Sequence, residues 1–133
     1  MIESLEKTNG EPPVVLRNLR KSFGAQMVLN GIDLTVARGE TLAVLGRSGT
    51  GKSVLLKIII GLQKPDAGSV NIHGQEITGI NLGELNEIRR KMGFLFQQAA
   101  LYDSLTVEEN VAFPLKHNTN MQSPSDGIEL RIC

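Results

Sequence analysis

Cysteine is almost missing from this sequence. Its one copy, Cys133, is the last of 133 residues. A single thiol cannot form an internal disulfide framework or a multi-cysteine zinc site, so a reducing compartment is expected. Aromatics are nearly as scarce, with four Phe, one Tyr and no Trp, too few for a platform that stacks nucleic-acid bases. Excess charge is absent as well. The 14 Lys+Arg residues balance 14 Asp+Glu, and no Lys/Arg-rich run longer than Arg89-Arg90-Lys91 appears, which argues against a nucleic-acid partner working through net charge. The longest apolar run, Val54 to Leu62, is interrupted by Lys57 and Gly61. A bilayer span needs about 20 apolar residues, so this run is too short. The opening Met-Ile-Glu-Ser-Leu-Glu-Lys lacks the basic and apolar regions of a secretory signal. No internal repeat or low-complexity tract is visible. A chain of this length can bury roughly 60–70% of the surface it would expose unfolded, enough for one core, but it is short for an enzyme.

Glycine is what the chain has in quantity: 14 residues, against a usual share of about 7%. They are clustered, and they punctuate a readable series of elements. Residues 1–13 end in Pro12-Pro13 and read as a loose N-terminal arm. Val14–Leu19 reads as a strand, Arg20–Gln26 as a polar connection, and Val28–Val36 as a second strand bent at Gly31. Thr41–Leu45 is a short, nearly continuous apolar run, the pattern of a strand buried on both faces. Val54–Ile60 is apolar on every side and stops at Gly61. Its Ile58-Ile59-Ile60 triplet favours a strand by propensity, but the preceding loop calls for a helix, and a helix is expected. A turn at Pro65–Gly68 leads to a strand at Ser69–Ile72 and a further turn at His73-Gly74. Asn81 with Glu84 opens a helix that carries Leu82, Leu85 and Ile88 on one face. Met92–Phe96 reads as another buried strand. Thr106-Val107-Glu108-Glu109 has the capping-box pattern of a helix start. From His117 onward the chain is polar and weakly patterned.

The glycine cluster carries chemistry. Gly46-Arg47-Ser48-Gly49-Thr50-Gly51-Lys52-Ser53 fits G-x-x-x-x-G-K-[ST] at every required position. Glycines let the backbone curl so that successive N–H groups line an anion site, and the following helix adds its positive end. Lys52 would reach the terminal phosphates of a nucleotide, and the Ser53 hydroxyl would help hold Mg²⁺. Arg47, Ser48 and Thr50 are expected to contribute mostly backbone, with their side chains as solvent-exposed fillers. A chance glycine loop would lack what flanks this one, an apolar strand before it and an apolar segment after it.

Three stretches of the chain resemble the ATP-binding subunits of ABC transporters. They are Leu45–Lys57, Gly61–Val70, and Gly93-Phe94-Leu95-Phe96-Gln97-Gln98 continuing through Leu105–Val111. Together they cover most of residues 14–115 in the family's order. The resemblance implies an α/β fold: a P-loop NTPase core with an N-terminal antiparallel β-subdomain, truncated before the helical subdomain is complete. It makes residues 14–133 the N-terminal part of an ABC ATP-binding domain. It implies ATP and Mg²⁺ as cofactors. Phe23 falls where the family has an aromatic that stacks on adenine, although a core or strand-edge Phe would read the same way. Gln97 falls at the Q-loop glutamine that looks to Mg²⁺ and the attacking water, although a polar residue capping a strand end is the alternative. The implied partners are a transmembrane permease subunit and a second ATP-binding subunit, at the cytoplasmic face of the inner membrane. Gly-Arg-Ser-Gly-Thr-Gly-Lys-Ser-Val-Leu-Leu-Lys, Phe-Gln-Gln-Ala-Ala-Leu-Tyr and Asn-Val-Ala-Phe-Pro-Leu are similar to the phospholipid-trafficking, toluene-tolerance branch, which works with Mce-type lipid-binding proteins.

Three family features do not occur in these 133 residues: a Leu-Ser-Gly-Gly-Gln-type signature, four apolar residues followed by Asp-Glu, and a later switch histidine. The nearest imitation of the acidic motif is Ala99-Ala100-Leu101-Tyr102-Asp103, but Ser104 follows where Glu is needed. His73 and His117 read as solvated. Phosphate binding can be built from the loop alone, whereas hydrolysis needs water positioning and charge stabilisation as well. A truncated, non-catalytic nucleotide-binding remnant and a small P-loop kinase using Asp103 therefore stay open as alternatives. A GTPase is disfavoured because no Asn-Lys-x-Asp motif is present.

Overall fold

A computed structural model of the chain describes residues 10–96, 101–110, 113 and 128–130. Two compact units divide at Asn81 and Leu82, and each is described by itself.

The first unit is built on strands β1 (Val14–Phe23), β2 (Gln26–Val36), β3 (Ala67–Ile72) and β4 (Gln75–Glu76). They form one antiparallel sheet in the order β2-β1-β3-β4. The apolar positions of β1 explain its shape. Val14, Leu16 and Leu19 are all fully buried, yet their spacing breaks the period of two that a flat strand requires. The break is absorbed by a bulge between Leu16 and Leu19, where Asn18 takes φ 44°. Its N–H donates to Asp33 Oδ1 at 2.9 Å. The extra residue returns Leu19 to the core face. Two further register shifts follow, one skipping Gly31 and one skipping Val28 on β2, so the bend expected at Gly31 is a bulge.

On its other side the β1 bulge meets Gly68 of β3, at φ 90°. A Cβ there would lie 2.5 Å from the carbonyl oxygens of both Arg17 and Asn18. Only glycine fits that approach. Next to it, Asp66 ties β3 to β1 through its backbone and its side chain. Its N–H donates to the Arg20 carbonyl at 2.9 Å, and its carboxylate accepts from Ser22 N–H at 2.6 Å and Lys21 Nζ at 2.7 Å. These bonds, Lys21 first, hold the Asp66 carboxyl below its ordinary 3.8. A depressed carboxylate stabilises the fold fully above the unfolded value and loses that contribution as pH falls through the folded one. Asp66→Asn is therefore expected to lower the unfolding midpoint at neutral pH. Unfolding curves recorded across acid pH should show that gap closing below 3.8. A gap that stays constant with pH would refute the ionic origin.

Helix α1 (Lys52–Ile59) buries Leu55, Ile58 and Ile59 and lies against β3. Ile58 and Ile59 each cost a few tenths of a kcal/mol in helix propensity, with Ile60 standing at the C-cap, whereas burying each isoleucine contributes about 1.5–3 kcal/mol. Ile58, Ile59 and Ile60 are all buried, and burial decides. The helix ends as expected at Gly61, whose N–H donates to Ile58 O while Leu62 N–H donates to Lys57 O, a Schellman closure. Pro13, at the end of the expected loose arm, is buried, and its carbonyl accepts from His73 N–H at 2.9 Å. Residues 1–9 lie outside the described residues.

The strand expected at Thr41–Leu45 is not one. The run pairs with no strand among the described residues and is exposed throughout, Leu45 at 90%. A strand buried on both faces exists only when other strands flank its edges and helices cover it. Among the described residues nothing does either.

The second unit holds α2 (Leu82–Arg89), β5 (Met92–Phe94) and β6 (Ile128–Leu130). β5 pairs in parallel with β6, with Met92 opposite Ile128 and Phe94 opposite Leu130. The expected strand Met92–Phe96 is thus shorter, and its last two residues are exposed. The capping box at Thr106 is present in both directions. Thr106 N–H donates to Glu109 Oε2 at 2.8 Å, and Glu109 N–H donates to Thr106 Oγ1 at 3.2 Å. Asn110 closes the preceding loop. Its amide donates to the carbonyls of Tyr102, Leu105 and Thr106, and its Oδ1 accepts from Tyr102 N–H. No helix among the described residues is long and apolar enough to cross a membrane.

Candidate functional site

The loop Gly46–Ser53 is held from below by the bulged strand β2. Gly51 is buried and forms the N-cap of α1 at φ 95°. A Cβ on it would lie 2.7 Å from Val28 Cγ1 and 3.1 Å from the Val28 carbonyl oxygen. Val28 is the residue skipped by the third register shift, so the loop meets the sheet at this bulge. This contact seats the loop on the sheet. Gly46, Arg47, Ser48 and Gly49 lie beyond it and are exposed.

No side chain caps α1, and no acidic residue occupies its first turn. The positive end of the helix is therefore not neutralised locally, the condition an anion site needs. Lys52 brings a full charge to the same place. Its Nζ donates to Gly46 O at 2.6 Å and to Arg47 O at 2.7 Å. An ammonium has three N–H donors. Two are committed to the loop itself, which fixes the charge over the loop and leaves one for a ligand. Ser53 is exposed on the first turn of α1. Mg²⁺ that rides on phosphates takes only one or two protein ligands, so a single hydroxyl at this position is a suitable donor.

Thr50 departs from expectation. Read from sequence as a backbone contributor, it uses its side chain: Oγ1 donates to Arg47 O at 2.8 Å.

Phe23 lies at the tip of the β1–β2 hairpin, paired with Gln26 and exposed. About 7 Å of strand separates Gln26 from Val28, which touches Gly51. The hairpin thus brings Phe23 to the same end of the sheet as the glycine loop. Lys21 Nζ lies 5.5 Å from the Phe23 ring centroid while bonded to Asp66, so a chain of contacts runs Asp66–Lys21–Phe23. Sequence reasoning did not find Lys21 or Asp66. They meet across 45 positions, and only the register of β1 on β3 brings them together.

Gln97 lies outside the described residues. Asp103 sits in an exposed turn. Among the described residues no three His, Cys, Asp or Glu side chains gather as a metal site.

Comparison with known proteins bears on what this loop belongs to. The family model described as ABC transporter matches residues 29–130. The chain is 45% identical over 105 residues to a methionine import ATP-binding protein, MetN, of Brucella abortus, covering 79% of this chain and 28% of that protein. It is 42% identical over 113 residues to a sulfate/thiosulfate import ATP-binding protein, CysA, of Methylococcus capsulatus, covering 85% and 31%. A solved dimeric cassette, MJ0796, in a post-hydrolysis state bound to ADP and Pi, superposes with a TM-score of 0.74 at 37% identity, covering 83% of this chain and 50% of that one. The chain therefore spans under a third of these curated relatives and half of the solved cassette. Its antiparallel N-terminal sheet, glycine loop and helix are part of a P-loop NTPase domain, and the chain belongs to the ABC transporter ATP-binding family.

Proposed function

We propose that this chain binds ATP as part of the ATP-binding subunit of an ABC transporter, whose hydrolysis of ATP drives transport. The observation that carries the reading is the geometry of Lys52, an ammonium held by two loop carbonyls beside an uncapped helix N-terminus. In this reading the backbone of Gly46, Arg47, Ser48, Gly49, Thr50 and Gly51 surrounds the polyphosphate, and the remaining Lys52 donor goes to its terminal groups. Ser53 and Gln97 hold Mg²⁺, and Phe23 offers its exposed ring to adenine. ATP with Mg²⁺ would supply the scissile phosphoanhydride. The signature, acidic pair and switch histidine are not among these residues. Binding is thus the role proposed for this chain, and hydrolysis for a domain that carries those groups. The partners are a transmembrane permease and a second ATP-binding subunit, and the place is the cytoplasmic face of the inner membrane.

For the cargo we propose a phospholipid or other lipid, handled with an Mce-type lipid-binding protein. The support is the sequence around Gly46–Lys57, Phe96–Tyr102 and Asn110–Leu115. A small polar solute is the second reading, favoured by the names of the relatives, which refer to methionine and to sulfate/thiosulfate import. Stimulation of ATPase activity in the reconstituted transporter by lipid, and not by methionine or sulfate, would decide for the first.

Titrating the full chain with ATP and Mg²⁺ tests the binding role. Saturable binding, competed by ADP and without turnover, is expected. Lack of saturable binding would sink the reading, and phosphate transfer to a small acceptor would replace it with a kinase.

A further inference from the structure

We infer that Thr50 is a positioning residue for the phosphate site, acting on Lys52 through the Arg47 carbonyl. This rests on the nucleotide reading above and goes further into the same loop. The Arg47 carbonyl has two lone pairs, and two short bonds fill them: Lys52 Nζ at 2.7 Å and Thr50 Oγ1 at 2.8 Å. The Thr50 N–H adds a long third contact at 3.4 Å. One side chain thereby closes the Arg47–Thr50 turn and orients the carbonyl that orients the ammonium.

Gly46 is shaped to let this happen. A Cβ there would lie 2.8 Å from Thr50 Oγ1 and 3.8 Å from Lys52 Cδ. The hydroxyl and the lysine stem therefore run over the bare backbone of the residue whose carbonyl takes the other Lys52 donor. Threonine suits the task because its branched Cβ restricts χ1, so the hydroxyl holds its direction. A flexible loop would otherwise have to order the Arg47 carbonyl each time a nucleotide arrives.

The consequence is specific to ligands that reach Lys52. Removing the hydroxyl loosens the ammonium but leaves the first part of the loop and the Phe23 ring as they were. Thr50→Val, which keeps the shape, is expected to weaken ATP binding about three- to tenfold, the range of one net hydrogen bond. AMP lacks the terminal phosphates, and its affinity should not change. Thr50→Ser, which restores the hydroxyl, should return ATP affinity to within about twofold of the wild-type value. Competition titrations of the full chain with ATP and AMP, alongside unfolding midpoints, read all of this. Unchanged or tighter ATP binding by Thr50→Val overturns the inference, as does an equal loss for ATP and AMP. Wild-type chain that binds no ATP overturns the functional reading and this inference together. ATP binding that is indifferent to Thr50 overturns this inference alone.

Discussion

Replacing Lys52 by alanine is expected to weaken ATP binding by about 10- to 150-fold, the factor equivalent to losing one charge-assisted hydrogen bond worth about 1.5–3 kcal/mol. The substitution removes the full positive charge that hydrogen bonds to the Gly46 and Arg47 carbonyls fix over the loop. The fold should tolerate it. Gly46 and Arg47 are both exposed residues, so water is expected to take the place of the ammonium. The Gly51 seat on Val28 does not involve the side chain. Equilibrium titration, with an unfolding curve as control, checks both halves. A loss under about threefold would mean that the ammonium stays on its carbonyls and never meets the nucleotide. A collapse of the unfolding midpoint would mean that Lys52 holds the loop together instead of serving it.

Gly68→Ala is expected to be the most damaging conservative change in the sheet, destabilising by about 2–4 kcal/mol and lowering the unfolding midpoint by roughly 10 °C. Two costs combine. A side chain at φ 90° is strained in itself, and the new methyl would stand 2.5 Å from two backbone carbonyl oxygens. Those oxygens belong to Arg17 and Asn18, the bulge that sets the phase of β1. They cannot retreat without moving Leu16 or Leu19 from full burial. Gly79→Ala is the matched control, because its added methyl meets nothing within 4 Å. Similar midpoints for the two variants would show that the bulge is softer than its geometry implies.

These two residues mark where the sequence could be read and where it could not. The Lys52 loop was legible because its chemistry is local. Eight consecutive residues carry the turn, the charge and the helix start, and the helix followed in spite of three isoleucines. The capping box at Thr106 and Glu109 was legible for the same reason, since both bonds close within four residues. Gly68 was read as part of a turn, and its structural role is to face a bulge on another strand. Nothing near it in sequence announces Arg17 or Asn18. The Asp66–Lys21–Phe23 contacts failed to show for the same cause, and so did β6, three residues whose only signal is Ile-Glu-Leu in a polar stretch. The error at Thr41–Leu45 was of another kind. Its apolar pattern was read as a strand buried on both faces, but such a strand depends on flanking strands, and no local pattern supplies them. At Thr50 the residue type was visible and its hydroxyl bond was not, because the loop had to be folded before Arg47 O came within reach.

The bulges of the hairpin bear on how this molecule meets other copies of itself. Among the described residues β2 is an edge strand of eleven residues, long enough to serve as a template for a foreign strand. Two of its three register shifts against β1 place the extra residue on β2 itself, at Gly31 and Val28, and there its outer row of N–H and C=O groups loses the even spacing that an added straight strand would need. Intermolecular pairing along β2 would be interrupted at those two positions. Thr41–Leu45 pairs with no strand among the described residues and exposes Leu42, Val44 and Leu45. Self-association, where it occurs, should therefore begin at that short apolar run and not along the longer edge.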